Sequence, residues 1–171
     1  QLSWQQYPDD SAIADPVRKV INTYAQGLLT GVCEGGSPPA CTTNYLTSIS
    51  YHANLMPFVV THANQTKVTY GKDPNDMLRP ASIALQRVSG GTTLWQTGAY
   101  AYDGSGNVKQ IGTVSPYETF VYDKVSRLTS GTIVAGGINR TQTVSYDAFG
   151  NVLSSATHHG SRSFTVNGAT N

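Results

Sequence analysis

One phrase occurs three times in the second half of this chain: Tyr102-Asp103-Gly104-Ser105-Gly106-Asn107-Val108, Tyr122-Asp123-Lys124-Val125-Ser126-Arg127-Leu128 and Tyr146-Asp147-Ala148-Phe149-Gly150-Asn151-Val152. A Tyr-Asp pair, three spacers, Asn or Arg, and an aliphatic residue return after 20 and then 24 positions. Self-similarity at that period is the mark of a repeat architecture, in which one supersecondary unit is copied along the chain.

Each copy has a local reading. β-prone runs precede the Tyr-Asp pairs (99–102, 119–122, 143–146) and follow them (107–111, 128–134, 152–157), so both flanks read as strands. Between them an Asp side chain accepts a hydrogen bond from the backbone two residues on, and Gly106 and Gly150 supply the positive φ of a reversal. The middle copy has Ser126 in that place, so its turn is either wider or carries a strained residue. Neighbours on a strand face opposite ways; Tyr is expected to pack inward while Asp organises the turn. The repeat-turn residues are therefore Tyr102, Asp103, Gly106 and Asn107; Tyr122, Asp123 and Arg127; and Tyr146, Asp147, Gly150 and Asn151. Their expected role is structural.

Weaker echoes begin at Tyr24, Tyr51 and Tyr70, and the chain parses as about six hairpin-like units. Residues 17–26 admit two readings. Asp15-Pro16 followed by Gly27 suits a capped helix, whereas the β-branched alternation suits a strand, which the following hairpin grammar favours. Pro57 is compatible only with an edge, a strand start or a bulge. Residues 72–76 form a turn cluster, and Ser89-Gly90-Gly91 is a further hairpin signal. The expected class is all-β, built of repeated antiparallel hairpins. Residues 1–16 read as a tether or edge segment, 17–157 as degenerate and clear repeats, and 158–171 as a tail or continuation.

With 171 residues and 39% hydrophobic content, one domain with a core is expected. Only 12% of residues are charged, against roughly a quarter in ordinary globular proteins. Such a surface suits a cell-exterior β-protein or a buried shell segment. The net charge of +1 offers no field for nucleic acid, and no apolar run is long enough to span a bilayer. The abrupt ends read as a fragment of a larger repeat protein or as a processed chain. Cys33 and Cys41 bracket a reversing loop, 34–40, so they form either a disulfide or two free thiols. The disulfide is the favoured reading, and it argues for an oxidising compartment.

The phrase Tyr-Asp-x-x-Gly-Asn-Val, with its variant ending Arg-Leu, resembles the YD repeat of Rhs proteins, known from bacterial polymorphic toxins, toxin-complex subunits and teneurins. The likeness covers about residues 17–157 and is strongest in the three copies between 99 and 153. It implies hairpins joined edge to edge into a sheet that spirals around a hollow interior, enclosing an effector in toxins and serving adhesion in teneurins. The Asp-Pro-x-Gly-Leu sequence of the toxins is missing, since Asp73-Pro74 continues as Asn75-Asp76-Met77. Self-cleavage and toxicity therefore do not carry over.

Catalytic signatures are thin. There is no nucleophile elbow, phosphate loop, zinc-protease helix or dinucleotide fingerprint. His52 and His62 read as equivalent strand-edge residues, and His158-His159 as an exposed pair on opposite faces. The run 103–107 spaces oxygen ligands like a calcium loop, but Val108 and Val114 stand where glycine and glutamate are needed. Glu34 and Glu118 are weak acid candidates. Trp95 is the best candidate ligand contact, and Asn64 and Asn139 open acceptor sequences for N-glycans. The expectation is a non-enzymatic structural shell segment of a secreted or surface protein, without cofactor or metal. Its expected partners are neighbouring repeats or copies of itself. The alternative is an extracellular carbohydrate-binding or adhesion module.

Overall fold

A computed structural model describes residues 4–6, 19–35 and 40–167. Among these every regular element is a strand. The order is β1 (Trp4–Gln6), β2 (Lys19–Ala25), β3 (Leu28–Gly35), β4 (Thr43–Tyr51), β5 (Pro57–His62), β6 (Thr66–Lys72), β7 (Pro80–Arg87), β8 (Thr93–Tyr102), β9 (Val108–Ile111), β10 (Tyr117–Tyr122), β11 (Leu128–Ala135), β12 (Ile138–Tyr146), β13 (Val152–Thr157) and β14 (Gly160–Ser163). The fold is all-β. Residues 19–25 take the strand reading, and most of the N-terminal segment 1–16 lies outside the described residues.

The chain forms two compact units, Gln1–Gln96 and Thr97–Asn171. In each, strands pair antiparallel with their neighbours in sequence. The two ends of the strands are closed differently. At one end the β11–β12 turn is a two-residue one, with Gly136 and Gly137 at φ 58° and 77°, the conformations that such a hairpin demands, and the β7–β8 connection, 88–92, holds Gly90 and Gly91 at φ 73° and 64°. At the other end every turn, from the two-residue Gln26-Gly27 to the longer ones, follows a register shift: at Thr23/Tyr24, Ser50/Tyr51 and Gly71/Lys72 in the first unit, and at Ala101/Tyr102, Val121/Tyr122 and Ser145/Tyr146 in the second. A bulge there re-aims a residue at or next to the end of the strand, which in five of these six places is a tyrosine. Pro57 and Pro80 each open a strand beside such a bulge, where the missing N–H is tolerated.

Pairing sets two unlike faces. In the first unit Ile49, Val60, Val68 and Leu85 lie opposite one another across four strands, while the neighbouring rows hold Ser48, Thr61 and Lys67. In the second unit Tyr100, Ile111, Glu118, Ile133 and Arg140 form one transverse row, and the opposite face carries Thr119, Thr132, Thr141, Thr143 and Ser154. The hydroxyls of Thr132 and Thr141 meet at 2.8 Å, and those of Ser145 and Ser154 at 2.6 Å, cross-strand pairs of the kind that stabilise a polar sheet face.

The expected core is not there. Among the described residues the buried apolar side chains are Ile21 and Cys33, whereas Ile133 is 46% exposed and Leu94 46%. A sheet needs a second layer to bury its apolar face, and these strands form a single layer within each unit. Chain length alone does not make a core when every strand lies beside its neighbour.

Cys33 and Cys41 are bonded, with Cα atoms 5.6 Å apart, a separation natural for a disulfide. The bond tethers β3 to the start of β4, and Thr42 reinforces it by donating its N–H and hydroxyl to the Glu34 carbonyl at 2.7 and 3.0 Å. Replacing both cysteines by alanine should lower the unfolding free energy by about 2–3 kcal/mol, from the loop-closure entropy of so short a ring. Urea unfolding of parent and variant checks this.

Candidate functional site

The Tyr-Asp turns are the site where this sequence concentrates its chemistry. In each copy one carboxylate oxygen accepts two backbone N–H groups: for Asp103 from Ser105 and Asn107, both at 2.9 Å; for Asp123 from Val125 and Arg127 at 3.0 and 2.9 Å; for Asp147 from Phe149 and Asn151, both at 2.9 Å. The second oxygen accepts the side chain four residues on, from Asn107 at 2.9 Å, Arg127 at 2.6 Å and Asn151 at 2.8 Å. The backbone closes the same ring, with Asp103 N–H donating to the Asn107 carbonyl and Gly106 N–H to the Asp103 carbonyl. These oxygens are engaged by N–H donors, which is why the calcium-loop spacing of 103–107 describes a turn.

The third spacer takes a left-handed conformation in every copy: Gly106 at φ 89°, Ser126 at 63° and Gly150 at 95°. The middle turn is therefore no wider than the others, and Ser126 carries the strain. Two earlier turns share the backbone pattern without the motif. Asp73 accepts the Asn75 N–H at 2.8 Å and Arg79 Nε–H at 2.7 Å, with Asp76 at φ 60°. His52 stands where Asp does elsewhere: its N–H donates to the Met56 carbonyl and it accepts the Leu55 N–H, both at 2.9 Å, with Leu55 at φ 66°. The Asn54 side chain accepts the Met56 N–H at 3.2 Å in place of a carboxylate. His52 and His62 are consequently not equivalent, since His62 ends β5 opposite Leu46. The hydrogen bonding of the Asp73 and His52 turns was not legible from the echoes, because the tyrosine position holds Lys72 in one and the aspartate position is changed in the other; the Asp73 loop, 73–79, is also longer than the five-residue turns.

Each turn is also tied to the next. Tyr122 and Tyr146 donate their hydroxyls to the carbonyls of Val108 and Leu128, at 3.0 and 2.9 Å, and Tyr51 does the same to Leu29 at 2.8 Å. Every acceptor is in the strand that leaves the preceding turn. Asn107 reaches the Ser126 hydroxyl at 3.1 Å. Arg127 extends furthest: its Nη1–H donates to the Asp147 carbonyl at 2.8 Å and its guanidinium lies 4.8 Å from the Tyr146 ring centre, a cation–π distance. The Arg variant of the motif thus bonds its own turn and the following one.

The turn carboxyls all sit below the usual range. For Asp103 and Asp147 the chief cause is the Asn side-chain amide, for Asp123 the Arg127 backbone N–H, and for Asp73 the Arg79 guanidinium, in each case against an opposing desolvation. These pulls stabilise the ionised form.

The remaining candidates are scattered. Trp95 is 56% exposed on β8. Asn64 occupies an exposed turn and its side-chain oxygen accepts the Thr66 N–H and hydroxyl at 3.2 and 2.7 Å, while Asn139 is paired with Val134 inside β12. Glu34 receives the Tyr45 hydroxyl. His158 and His159 do not point to opposite faces: they form the β13–β14 turn and their rings lie 3.7 Å apart. Among the described residues no group of three His, Cys, Asp or Glu side chains is placed to hold a metal ion, and no helix is long and apolar enough to cross a membrane.

No protein-family model matches the chain, and no curated protein matches it. Solved structures do. The crystal structure of TcdB2-TccC3-Cdc42 and the structure of a Photorhabdus luminescens Tc holotoxin pore carrying a TccC3 mutation each match with a TM-score of 0.62 at 19% identity over 92% of this chain. The crystal structure of TcdB2-TccC3 matches with a TM-score of 0.61 at 19% identity over 90%. The fold is that of a segment of these Tc toxin chains. This chain spans 10% of their length.

A carboxylate whose pKa is lower folded than unfolded stabilises the fold above the unfolded value, near 3.9, and that contribution fades as pH falls through the folded value. The melting temperature is therefore expected to hold steady from neutral pH to about 4 and to fall below it. Asp123→Asn, which keeps an acceptor oxygen but no charge, should melt with a shallower acid dependence when both are followed by circular dichroism from neutral to acid pH. A second pair tests the left-handed position. Ser126→Gly should stabilise by roughly 0.5–1 kcal/mol, and Gly150→Val should destabilise by about 1–3 kcal/mol, both read from urea midpoints.

Proposed function

We propose that this chain is a wall segment of an Rhs-type YD-repeat shell, part of a larger secreted or surface protein, whose work is structural and involves no turnover of substrate. The observation that carries this reading is the chaining of turn to turn by Tyr122, Arg127 and Tyr146 in sheets that bury almost none of their apolar side chains. Such a piece is complete as wall and incomplete as a globule. The match to a tenth of the Tc toxin chains supports it, as does the low charge content of 12%. Its partners on this reading are the neighbouring repeats of the same parent chain.

Electron microscopy of the purified full-length parent protein is the direct test. The expected image is a hollow, thin-walled β-shell with this sequence in its wall; a solid domain at this position would sink the proposal. Incubating the 171-residue chain with glycosides, esters and peptides should yield no turnover, and hydrolysis lost on replacing a single acid or histidine would overturn the non-catalytic reading. Exposed Trp95 favours one second reading, a carbohydrate-binding surface, because indole faces stack on sugar rings. Retention on a glycan array that is abolished by Trp95→Ala with stability unchanged would replace the wall reading with that one.

A further inference from the structure

The apolar face of the Thr97–Asn171 unit has a charge pattern that matches itself. On it Glu118 lies opposite Ile133, and Ile133 lies opposite Arg140, so an acid and a guanidinium flank one exposed isoleucine in a single row. The next row of the same face holds Phe120, Gly131 and Gln142. Gly131 leaves a hollow there, and the Phe120 ring edge lies 3.5 Å from where its Cβ would stand. Phe120, Ile133 and Val144 line an open groove of about 420 Å³, with Glu118 and Arg140 at its sides. Among the described residues, neither Glu118 nor Arg140 has an ion-pair partner. Strands about 4.8 Å apart place them on opposite sides of Ile133 by one ladder spacing each.

We propose that this face binds a second copy of the chain about a two-fold axis running along β11 above Ile133. Rotation by half a turn about that line exchanges left and right across the row and leaves position along the strand unchanged. Glu118 of each copy then faces Arg140 of the other, Ile133 faces Ile133, and the two Gly131 hollows face each other with a Phe120 ring beside each. Self-complementarity of this kind is what an isologous interface requires. Sheets stacked about 10 Å apart accommodate the opposed isoleucines, and their contact removes apolar surface from water. The two symmetric ion pairs fix the orientation and exclude a copy rotated within the plane of the sheet, which would bring like charges together. On the opposite face the Thr132–Thr141 and Ser145–Ser154 hydroxyls already satisfy one another.

Sedimentation velocity of the 171-residue chain over a concentration series tests the interface, with circular dichroism to show that each variant is folded. Glu118→Arg and Arg140→Glu should each weaken dimerisation about tenfold or more, because each creates two like-charge contacts per dimer. The combined exchange E118R/R140E should restore the parent affinity to within about threefold. Ile133→Asp should weaken dimerisation about tenfold or more, because it removes the apolar contact on the axis and sets two carboxylates against each other. A chain that stays monomeric throughout, single reversals without effect, failure of the exchange to restore affinity in folded protein, or an Ile133→Asp variant that associates like the parent would each overturn the proposal. So would association that is lost on Ser161→Pro in β14 yet untouched by the charge reversals, since that result assigns contact to a strand edge.

Discussion

A single carboxylate oxygen accepting two backbone N–H groups, from the second and fourth residues after it, is the contact on which this fold depends. It turns a stretch whose apolar residues, Val125 and Phe149, stay exposed into a fixed reversal, and it brings the residue four positions on into reach of the second oxygen. Buried or half-buried backbone donors need partners, and in a turn with no ladder the aspartate supplies them. That is why the motif tolerates Gly-Ser-Gly, Lys-Val-Ser and Ala-Phe-Gly as spacers while keeping Asp at the head and a donor side chain at the foot. Ser126 and Asp76 further show that a positive φ at the third spacer is enforced by this hydrogen bonding, with glycine only its cheapest occupant.

From the turn the constraint passes to the strands. The bulge at the preceding residue frees the tyrosine from strict alternation, so its hydroxyl reaches a carbonyl in the strand leaving the previous turn. The two features work together: the aspartate fixes the reversal, and the tyrosine measures the distance to the last one. Register is thereby repeated from one hairpin to the next without help from a packed interior, which these units do not possess among the described residues. Gly98 belongs to the same economy of space, because a Cβ there would lie 2.8 Å from the Cα of Gly112.

Much of this was readable from residues alone. The three Tyr-Asp copies announced hairpins, Pro57 was limited to an edge, a strand start or a bulge and opens β5, and in 17–26 the hairpin grammar that follows favoured a strand over the cap-like Asp15-Pro16. The parts that escaped share a cause: they depend on which atoms meet, not on residue type or period. Asp73 heads a full turn although the residue before it is Lys72, and His52 keeps the backbone of the turn after losing its carboxylate, because Asn54 supplies the missing acceptor. The bridging reach of Arg127 needed the position of the next turn, and the histidine pair needed the turn that bends it. The absent core was misjudged because hydrophobic content counts residues, whereas burial requires a second layer to cover them.

Pairing only between sequence neighbours also says how such a chain is made. No strand within either unit waits for a partner synthesised much later, so the loops to be closed are short and their entropic cost is small at every step. Each completed hairpin offers its outer strand as a template for the one that follows, as in linear repeat proteins whose order spreads from unit to unit. A β-protein dominated by distant pairings must hold its exposed strands until the end of synthesis and risks aggregation meanwhile. Here growth can keep pace with the ribosome, one tyrosine catching hold of the turn just finished.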